Sequence, residues 1–378
     1  MRKTVIILGA GPAGLSIGYE MSRRGVDYLI LEKGQVAGES FTHIPKDTCF
    51  GPWLNNTLPG SRVSWKWRLR LATQPAYSWY LQEYARRNQL AIQFGSVVSL
   101  VRREDKGFLV HTHDKTYHCD FVVNCTGYFS NPNKPSYPGQ EESSIVALHN
   151  SEFREAADLS HKLGLEKANV LVVGAGLSSG EMLKDLHKNG DCVSLSHRGP
   201  VVFGPTPMMT ALMSPWNWLV ERAAITLDIR LNSNPPMAGG SIQKLLVTGA
   251  IPTYPGIDHF EKEKVVFVGG QSQAFDAVVL ATGYRYTISH LLGLLPSVPI
   301  QVYNMESTAV PGLFFLGMDQ QRTYRSRYLR GIRADAIELG QLLSKRLAKS
   351  PIWKIPKQPL YEPLKIQPEI ATQSVPGR

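Results

Sequence analysis

Three glycines near the start of the chain have the spacing of a phosphate-binding turn. Gly9, Gly11 and Gly14 form a G-x-G-x-x-G frame directly after an apolar run at residues 5–8. In such a frame the first glycine permits a tight turn, the second lets a pyrophosphate approach the backbone, and the third lets helix and strand pack closely. The helix expected at residues 13–24 would direct its N-terminal N–H groups and its dipole toward the phosphates.

An acidic residue follows the second expected strand at the distance that a dinucleotide site requires. Gly25 ends the helix, residues 27–31 form the next strand, and Glu32 stands at its end. A carboxylate at this place accepts hydrogen bonds from ribose hydroxyls. A glycine turn in another kind of α/β protein is the alternative, but it leaves Glu32 unexplained. The stretch therefore predicts a dinucleotide-binding site.

The same pattern occurs again in the middle of the chain. An apolar strand at residues 169–173 leads into G-A-G-L-S-S-G-E at residues 174–181, in which Ser179 takes the place of the third glycine. Each half also contains an apolar strand that closes in Thr-Gly-Tyr, at residues 126–128 and 282–284. An internal repeat of this kind indicates duplicated architecture, here two nucleotide-binding modules.

The two modules differ in the residue that discriminates between nucleotides. The second strand of the first module ends in Glu32, whereas the corresponding strand of the second module, residues 192–196, ends in His197-Arg198. A carboxylate repels a 2′-phosphate, and an arginine binds one through charge-assisted contacts. We therefore expect the adenosine of FAD in the first site and NADPH in the second. A solvated surface role for Arg198 is the alternative.

The remaining elements follow from apolar periodicity and from breakers. A helix is expected at residues 75–88, paired strands at 92–101 and 107–112, buried strands at 121–125, 265–268 and 277–281, and a closing strand and helix at 312–319 and 333–347. The fold class is thus α/β, with two Rossmann-like dinucleotide-binding domains and the NADPH domain inserted into the FAD domain. The expected ranges are 1–150 for the FAD domain, 151–285 for the NADPH domain, 286–347 for the return to the FAD domain, and 348–378 for a proline-rich tail.

Composition restricts the class of protein. The 378 residues carry a net charge of +10, which favours anionic partners, but the basic residues form no single dense tract. Phosphate-bearing cofactors and an acidic substrate explain this charge better than nucleic acid does. The four cysteines form no C-x-x-C pair, which argues against a dithiol-disulfide reductase and against a zinc site. Since neither a leader nor an apolar run long enough to span a bilayer is present, we expect a cytoplasmic protein.

Taken together, the motifs resemble the two-dinucleotide-domain flavoproteins and, within them, the class B flavin-containing monooxygenase-like branch. The resemblance covers residues 1–347 and rests on five motifs: G-A-G-P-A-G-L at 9–15, T-G-Y at 126–128, G-A-G-L-S-S-G-E at 174–181, A-T-G-Y at 281–284 and G-L-F-F-L-G at 312–317. His149 and Phe153 match the end of the family's identifying stretch, F-x-G-x-x-x-H-x-x-x-(F/W/Y), whereas Ser143 and Ile145 replace its leading Phe and Gly.

The resemblance implies roles for individual residues. Asn56 corresponds to an asparagine beside the flavin and the nicotinamide, with an Asx-type turn as the alternative, and His149 is the motif histidine, for which a structural role and proton transfer both remain open. The expected cofactor contacts are Gly9, Gly11, Ala13, Gly14, Glu32, Lys33, Val98, Thr126, Gly127, Gly174, Gly176, Ser178, Ser179, His197, Arg198, Thr282, Gly283, Gly317 and Asp319.

The resemblance also implies a reaction. The flavin accepts a hydride from NADPH and forms a C4a-(hydro)peroxyflavin with O₂, which inserts one oxygen atom into a small organic substrate. The substrate pocket is expected between the domains, lined by residues 41–60 and by the Met/Trp-rich stretch at 205–224, for which a buried helix and a membrane-surface patch are the alternatives. One of Arg322, Arg325 and Arg327 is a candidate partner for a substrate carboxylate, with a solvated surface role as the alternative. The alternatives are a non-oxygenating NAD(P)H-dependent flavin oxidoreductase and a flavin-binding protein without turnover.

Overall fold

The computed structural model describes residues 1–205, 236–295, 300–319 and 321–348, together with the isolated positions 209, 216, 220, 223 and 365–366. The helices in this part of the chain are α1 (Pro12–Ser22), α2 (Glu39–Thr42), α3 (Trp53–Asn56), α4 (Gln74–Arg87), α5 (Ala156–Leu163), α6 (Leu177–Asn189), α7 (Ser241–Val247) and α8 (Leu329–Ala348). Short 3₁₀ turns occur at Trp65–Trp67 and Ser289–Leu291.

The strands are, in chain order, β1 (Arg2–Leu8), β2 (Tyr28–Leu31), β3 (Cys49–Pro52), β4 (Arg62–Val63), β5 (Leu71–Thr73), β6 (Ile92–Gln93), β7 (Val98–Glu104), β8 (Gly107–Thr112), β9 (Thr116–Asn124), β10 (Val146–His149), β11 (Asn169–Val173), β12 (Cys192–Ser196), β13 (Phe203–Gly204), β14 (Met237–Ala238), β15 (Thr253–Tyr254), β16 (Ile257–Phe260), β17 (Lys264–Phe267), β18 (Ser272–Ala274), β19 (Ala277–Leu280), β20 (Val302–Tyr303), β21 (Glu306–Ser307), β22 (Leu313–Phe315) and β23 (Lys365–Ile366).

Nine strands form the sheet of the first module. Its main path runs β20-β21-β22-β9-β1-β2-β6, and the antiparallel pair β7-β8 joins it through β9. β1 pairs in parallel with β2 and β9, and β22 pairs in parallel with β9. Val5, Ile6 and Ile7 of β1 are completely buried, as expected for a parallel strand that is covered on both faces. Helices α1, α4 and α8 cover one face, and β7 and β8 cover the other.

The second module is built around a sheet of five parallel strands in the order β10-β19-β11-β12-β15. Helices α5, α6 and α7 pack on one face, and the three-stranded antiparallel sheet β16-β17-β18 packs on the other. The strands of the five-stranded sheet come from the middle of the chain, whereas β20–β22, which follow them, pair within the sheet of the first module. The predicted α/β architecture, with the second module inserted into the first, is therefore the one observed.

Two details differ from the sequence-based expectation. The stretch at residues 92–101 forms two strands, β6 and β7, because Gly95 has a φ of +65° and the Ser96 N–H donates to the Glu32 carbonyl oxygen, which together turn the chain. Strand β10 precedes the predicted boundary at residue 150 and yet lies in the second sheet, in parallel register with β19. Most of residues 205–224, and the tail beyond residue 348 apart from β23, lie outside the described residues.

Candidate functional site

The first glycine turn connects β1 to α1. Gly9 has a φ of +97°, and a Cβ atom on Gly14 would lie 1.8 Å from the Gly9 carbonyl oxygen, so the fold itself excludes side chains at both positions. Gly11 is different, because its φ is −75° and no heavy atom lies within 4 Å of the place a Cβ would occupy. Neither strain nor packing among the described residues explains this glycine. The open space lies at the N-terminus of α1, where a pyrophosphate is expected.

Glu32 holds this turn in place. Its carboxylate is buried and accepts hydrogen bonds from the Ala10 N–H (2.5 Å) and the Gly34 N–H (2.8 Å). Each carboxylate oxygen has a second acceptor position, so the group supports the turn and remains able to accept from a ribose hydroxyl. Of the two other residues expected near the nucleotide, Lys33 is exposed and Val98 is partly buried at the start of β7.

The return segment brings a further glycine against the start of α1. Gly317 has a φ of +85°, and a Cβ atom there would lie 3.3 Å from the Cβ of Ala13. Gly127 and Gly317 line the same small cavity, together with Asn124 and Met318. The first glycine turn and the return segment therefore meet at the place where the resemblance puts the flavin.

Thr126 and Asp319 lie beside this cavity and have partners within the protein. The Thr126 hydroxyl donates to the Thr287 carbonyl oxygen (2.7 Å). The backbone N–H of Asp319 donates to the Tyr286 hydroxyl, and the Asp319 carboxylate lies 3.6 Å from the Arg327 guanidinium. These contacts fix the rim of the cavity, and any cofactor contact of the two residues remains a prediction.

The second glycine turn, between β11 and α6, repeats the features of the first. Gly174 has a φ of +131°, and a Cβ atom there would lie 2.5 Å from the Ala281 carbonyl oxygen. Gly176 has a φ of −95° with no heavy atom within 4 Å of a Cβ position, as at Gly11. Ser179 is completely buried, and its hydroxyl has no hydrogen-bond partner among the described residues, while Ser178 is partly exposed in the first turn of α6.

Two basic residues follow β12, at the end of the strand that corresponds to β2. The His197 N–H donates to the Tyr254 carbonyl oxygen (3.1 Å), and its Nδ1 lies 2.7 Å from the Gly199 carbonyl oxygen. Arg198 is exposed, and no carboxylate of the described residues lies within ion-pair distance of it. An exposed guanidinium at the end of this strand, with no carboxylate of the described residues nearby, is available to bind a 2′-phosphate.

His149, the last residue of β10, is held by hydrogen bonds within the second module. Its Nε2 lies 3.0 Å from the Gly283 carbonyl oxygen, and its Nδ1 lies 3.0 Å from the Ser151 hydroxyl and accepts from the Ser151 N–H (3.1 Å). Burial lowers the pKa of this histidine, so the neutral ring donates from Nε2 to Gly283. Thr282 is held in the same way, because its hydroxyl donates to the Asn133 carbonyl oxygen (2.6 Å). The geometry gives His149 a positioning role.

Asn56 closes the short helix α3. Its side-chain amide is buried and donates to the carbonyl oxygens of Phe50 (2.8 Å) and Pro52 (3.0 Å). These bonds occupy the amide nitrogen and hold the irregular segment between β3 and α3. The contact between Asn56 and the cofactors that the resemblance implies remains a prediction.

One titrating residue between the modules, Glu181, ends the second glycine motif but is not among the expected site residues. Glu181, in the first part of α6, accepts a hydrogen bond from the Thr48 hydroxyl (3.2 Å) of the first module. Burial raises its pKa to about 7. A glutamate early in a helix is ordinary, so only the packing of α6 against the segment before β3 distinguishes this one.

The comparisons with known proteins agree with the two glycine turns. Residues 6–237, more than half of the chain, match the family described as pyridine nucleotide-disulphide oxidoreductase. The chain belongs to this family. It is therefore an oxidoreductase, and the family's pyridine nucleotide agrees with the second turn.

Solved structures with the same fold include flavin monooxygenases. A flavin monooxygenase variant from Stenotrophomonas maltophilia is 22% identical, with a TM-score of 0.74 over 92% of this chain and 99% of that one. A bacillithiol disulfide reductase from Staphylococcus aureus is 20% identical, with a TM-score of 0.68 over 93% of this chain and 100% of that one. A steroid monooxygenase bound to NADP is 15% identical, with a TM-score of 0.69 over 92% of this chain and 85% of that one.

Among curated proteins, the chain is 25% identical to an uncharacterized oxidoreductase, CzcO, from Bacillus velezensis, over 88% of this chain and 96% of that protein. It is also 25% identical to the indole-3-pyruvate monooxygenase YUCCA6 from Arabidopsis thaliana, over 90% of each chain. The expected use of a pyridine nucleotide is confirmed by the family. None of the helices in the described ranges is both long and apolar enough to cross a membrane.

Proposed function

We propose that the chain is an FAD- and NADPH-dependent monooxygenase that inserts one oxygen atom from O₂ into a small organic substrate. The observation that carries the proposal is the pair of open glycine positions, Gly11 and Gly176, each at the N-terminus of a helix that follows a buried parallel strand. When both nucleotides are bound, the flavin supplies hydride acceptance and reaction with O₂.

The chain's own residues bind and orient the cofactors. Gly11 and the N–H groups at the start of α1 receive the pyrophosphate of FAD, and Glu32 accepts from the ribose while it fixes the turn. Gly176 and the start of α6 do the same for NADPH, with Arg198 on its 2′-phosphate. His149 and Thr282 hold the Thr-Gly-Tyr segment at residues 282–284 to β10 and to Asn133. The Tyr284 ring of this segment lies 6.4 Å, between centroids, from Tyr128 of its counterpart.

The cysteines favour this proposal over thiol chemistry. Burial raises the pKa of Cys119 to about 12 and raises the pKa of Cys125 further, which keeps both thiols protonated and inert. Cys49 is partly buried with a raised pKa, and Cys192 is exposed in the second sheet. None of the four cysteines belongs to a C-x-x-C pair, so the sequence has no counterpart to a closely spaced redox dithiol. The monooxygenase names among the relatives point in the same direction.

A non-oxygenating NAD(P)H-dependent flavin oxidoreductase is the second candidate, because a bacillithiol disulfide reductase shares the fold. The rate of NADPH consumption with O₂ alone, compared with the rate with a quinone or a dye, distinguishes the two candidates. We expect the purified flavoprotein to consume NADPH slowly with O₂ alone, and to gain no steady turnover from a quinone or a dye. Rapid turnover with a dye would favour the oxidoreductase, and a flavin that stays oxidised under NADPH would favour a binding protein without turnover.

A further inference from the structure

A cavity of about 450 Å³ lies in the first module and is lined with arginines. Its volume is within the range of small-molecule sites. Three guanidinium-bearing residues, two hydroxyl residues and two apolar residues line it: Arg62, Arg68, Arg333, Thr57, Ser61, Leu54 and Val63. The lining therefore combines cationic groups with a small apolar surface.

The charge in this cavity is not neutralised by the part of the chain that the structure describes. No carboxylate of the described residues lies within ion-pair distance of Arg62, Arg68 or Arg333, and residues 48–82 contain four basic residues and no acidic one. Arginines elsewhere do have acidic partners, as Arg346 has Glu306. Like charges that face one cavity repel each other, and a bound anion removes that repulsion.

Internal contacts hold the cavity wall in place. The Arg333 guanidinium donates to the Thr57 hydroxyl (3.0 Å), and the Arg68 carbonyl oxygen accepts from the Leu54 N–H (3.0 Å). The first contact joins α8 to the segment after α3, and the second joins α3 to the 3₁₀ turn. The Arg333 guanidinium is thus held in place before a ligand binds, which reduces the cost of ordering it.

Helix α8 connects the cavity wall to the expected flavin position. Ile332, which precedes Arg333, would lie 3.8 Å from a Cβ on Gly317, the glycine that faces the start of α1. Thr57 follows Asn56 directly. We propose that this cavity binds the carboxylate of the substrate, and that the substrate class is a small monocarboxylic acid with an apolar body. The planar guanidinium fork fits a carboxylate. This assignment rests on the proposed function.

Binding of model acids to the holoenzyme tests the assignment. Isothermal titration calorimetry would compare 3-phenylpropanoate and octanoate with their uncharged amides. We expect saturable binding of at least one acid, no binding of the amides, and affinity at least about tenfold weaker in Arg62→Gln and in Arg68→Gln, because each loses a charge-assisted bond. Lys66→Gln is the matched control, since this exposed lysine lies in the same basic segment but does not line the cavity.

Four results would overturn the assignment: no binding of either acid at millimolar concentrations, equal binding of the amides, an equal loss of affinity in Lys66→Gln, or tighter binding of inorganic phosphate than of the acids. Anaerobic reduction of the flavin by NADPH without any acid tests the proposed function separately. Reduction without acid binding refutes the substrate class alone. Acid binding without reduction refutes the monooxygenase and, with it, the role of the bound acid as substrate.

Discussion

Gly176→Ala separates the nucleotide role of the second turn from its structural role. The backbone at this residue, with φ −95° and ψ −172°, suits alanine, and the new methyl group meets no heavy atom within 4 Å. Alanine is a poorer N-cap than glycine by roughly 1 kcal/mol, but it also lowers the entropy of the unfolded chain, which returns about 0.4–1 kcal/mol. The free energy of unfolding is therefore expected to stay within about 1 kcal/mol of the parent value.

The same methyl group occupies the space that a pyrophosphate needs. Displacing the phosphate weakens at least one charge-assisted hydrogen bond, each of which contributes about 1.5–3 kcal/mol. The dissociation constant for NADPH should therefore rise roughly 10- to 100-fold. The assay is the rate of anaerobic flavin bleaching as a function of NADPH concentration, and the retained flavin reports that the first module is intact.

Gly174→Ala is the contrasting variant. Its Cβ would lie 2.5 Å from the Ala281 carbonyl oxygen at a φ of +131°, so a loss of at least about 2 kcal/mol of stability is expected. Two results would refute the reasoning about Gly176. One is an unchanged NADPH dependence in Gly176→Ala, and the other is the same loss of thermal stability in both variants.

Three further perturbations test other parts of the account. Arg198→Gln should lower kcat/KM for NADPH about tenfold or more and leave kcat/KM for NADH unchanged, so the ratio of the two values is the measurement. An equal effect on both nucleotides would exclude a contact between Arg198 and the 2′-phosphate. Glu32→Gln should lower the unfolding midpoint and the flavin content by removing an acceptor from the Ala10 or Gly34 N–H, at a cost of about 1–3 kcal/mol, and unchanged flavin retention would contradict it. Burial raises the folded-state pKa of Glu181 to about 7, so the folded protein keeps a proton that the unfolded chain releases, and the stability of the parent falls as pH rises from about 4.5 to about 7. In denaturant unfolding, Glu181→Gln should therefore gain up to about 3 kcal/mol of stability over the parent between pH 5 and 8. Parallel pH profiles of stability for the two proteins would contradict this prediction.

The sequence predicted most reliably what depends on local backbone geometry. Gly9, Gly14 and Gly174 could be assigned because a tight turn and a close helix–strand approach allow no side chain, and this requirement is visible in spacing alone. The two sheets could also be predicted from a local pattern, since apolar strands such as β1 and β11 are typical of buried parallel sheets.

The rest depends on contacts between distant segments. Burial raises the pKa of Glu181, and the hydrogen bond to this carboxylate from Thr48 of the first module is indicated by no local pattern. The sequence also suggested the arginines at residues 322–327 for a substrate carboxylate, but Arg322 pairs with Asp335 and Glu338 and Arg327 pairs with Asp319. The arginines that line the cavity come from two segments far apart in the chain, around residues 62–68 and at 333, which only the fold brings together.

The most direct test of the proposed monooxygenase is stopped-flow absorbance of the flavoprotein, reduced anaerobically with NADPH and then mixed with O₂. The account predicts that NADPH bleaches the flavin and that oxygen produces a transient absorbance band, distinct from the spectra of both reduced and oxidised flavin, before the oxidised spectrum returns. Direct return to oxidised flavin with stoichiometric hydrogen peroxide, both without added substrate and with the model acids, would contradict the oxygenating function. Failure of NADPH to bleach the flavin would contradict any NADPH-dependent flavoenzyme.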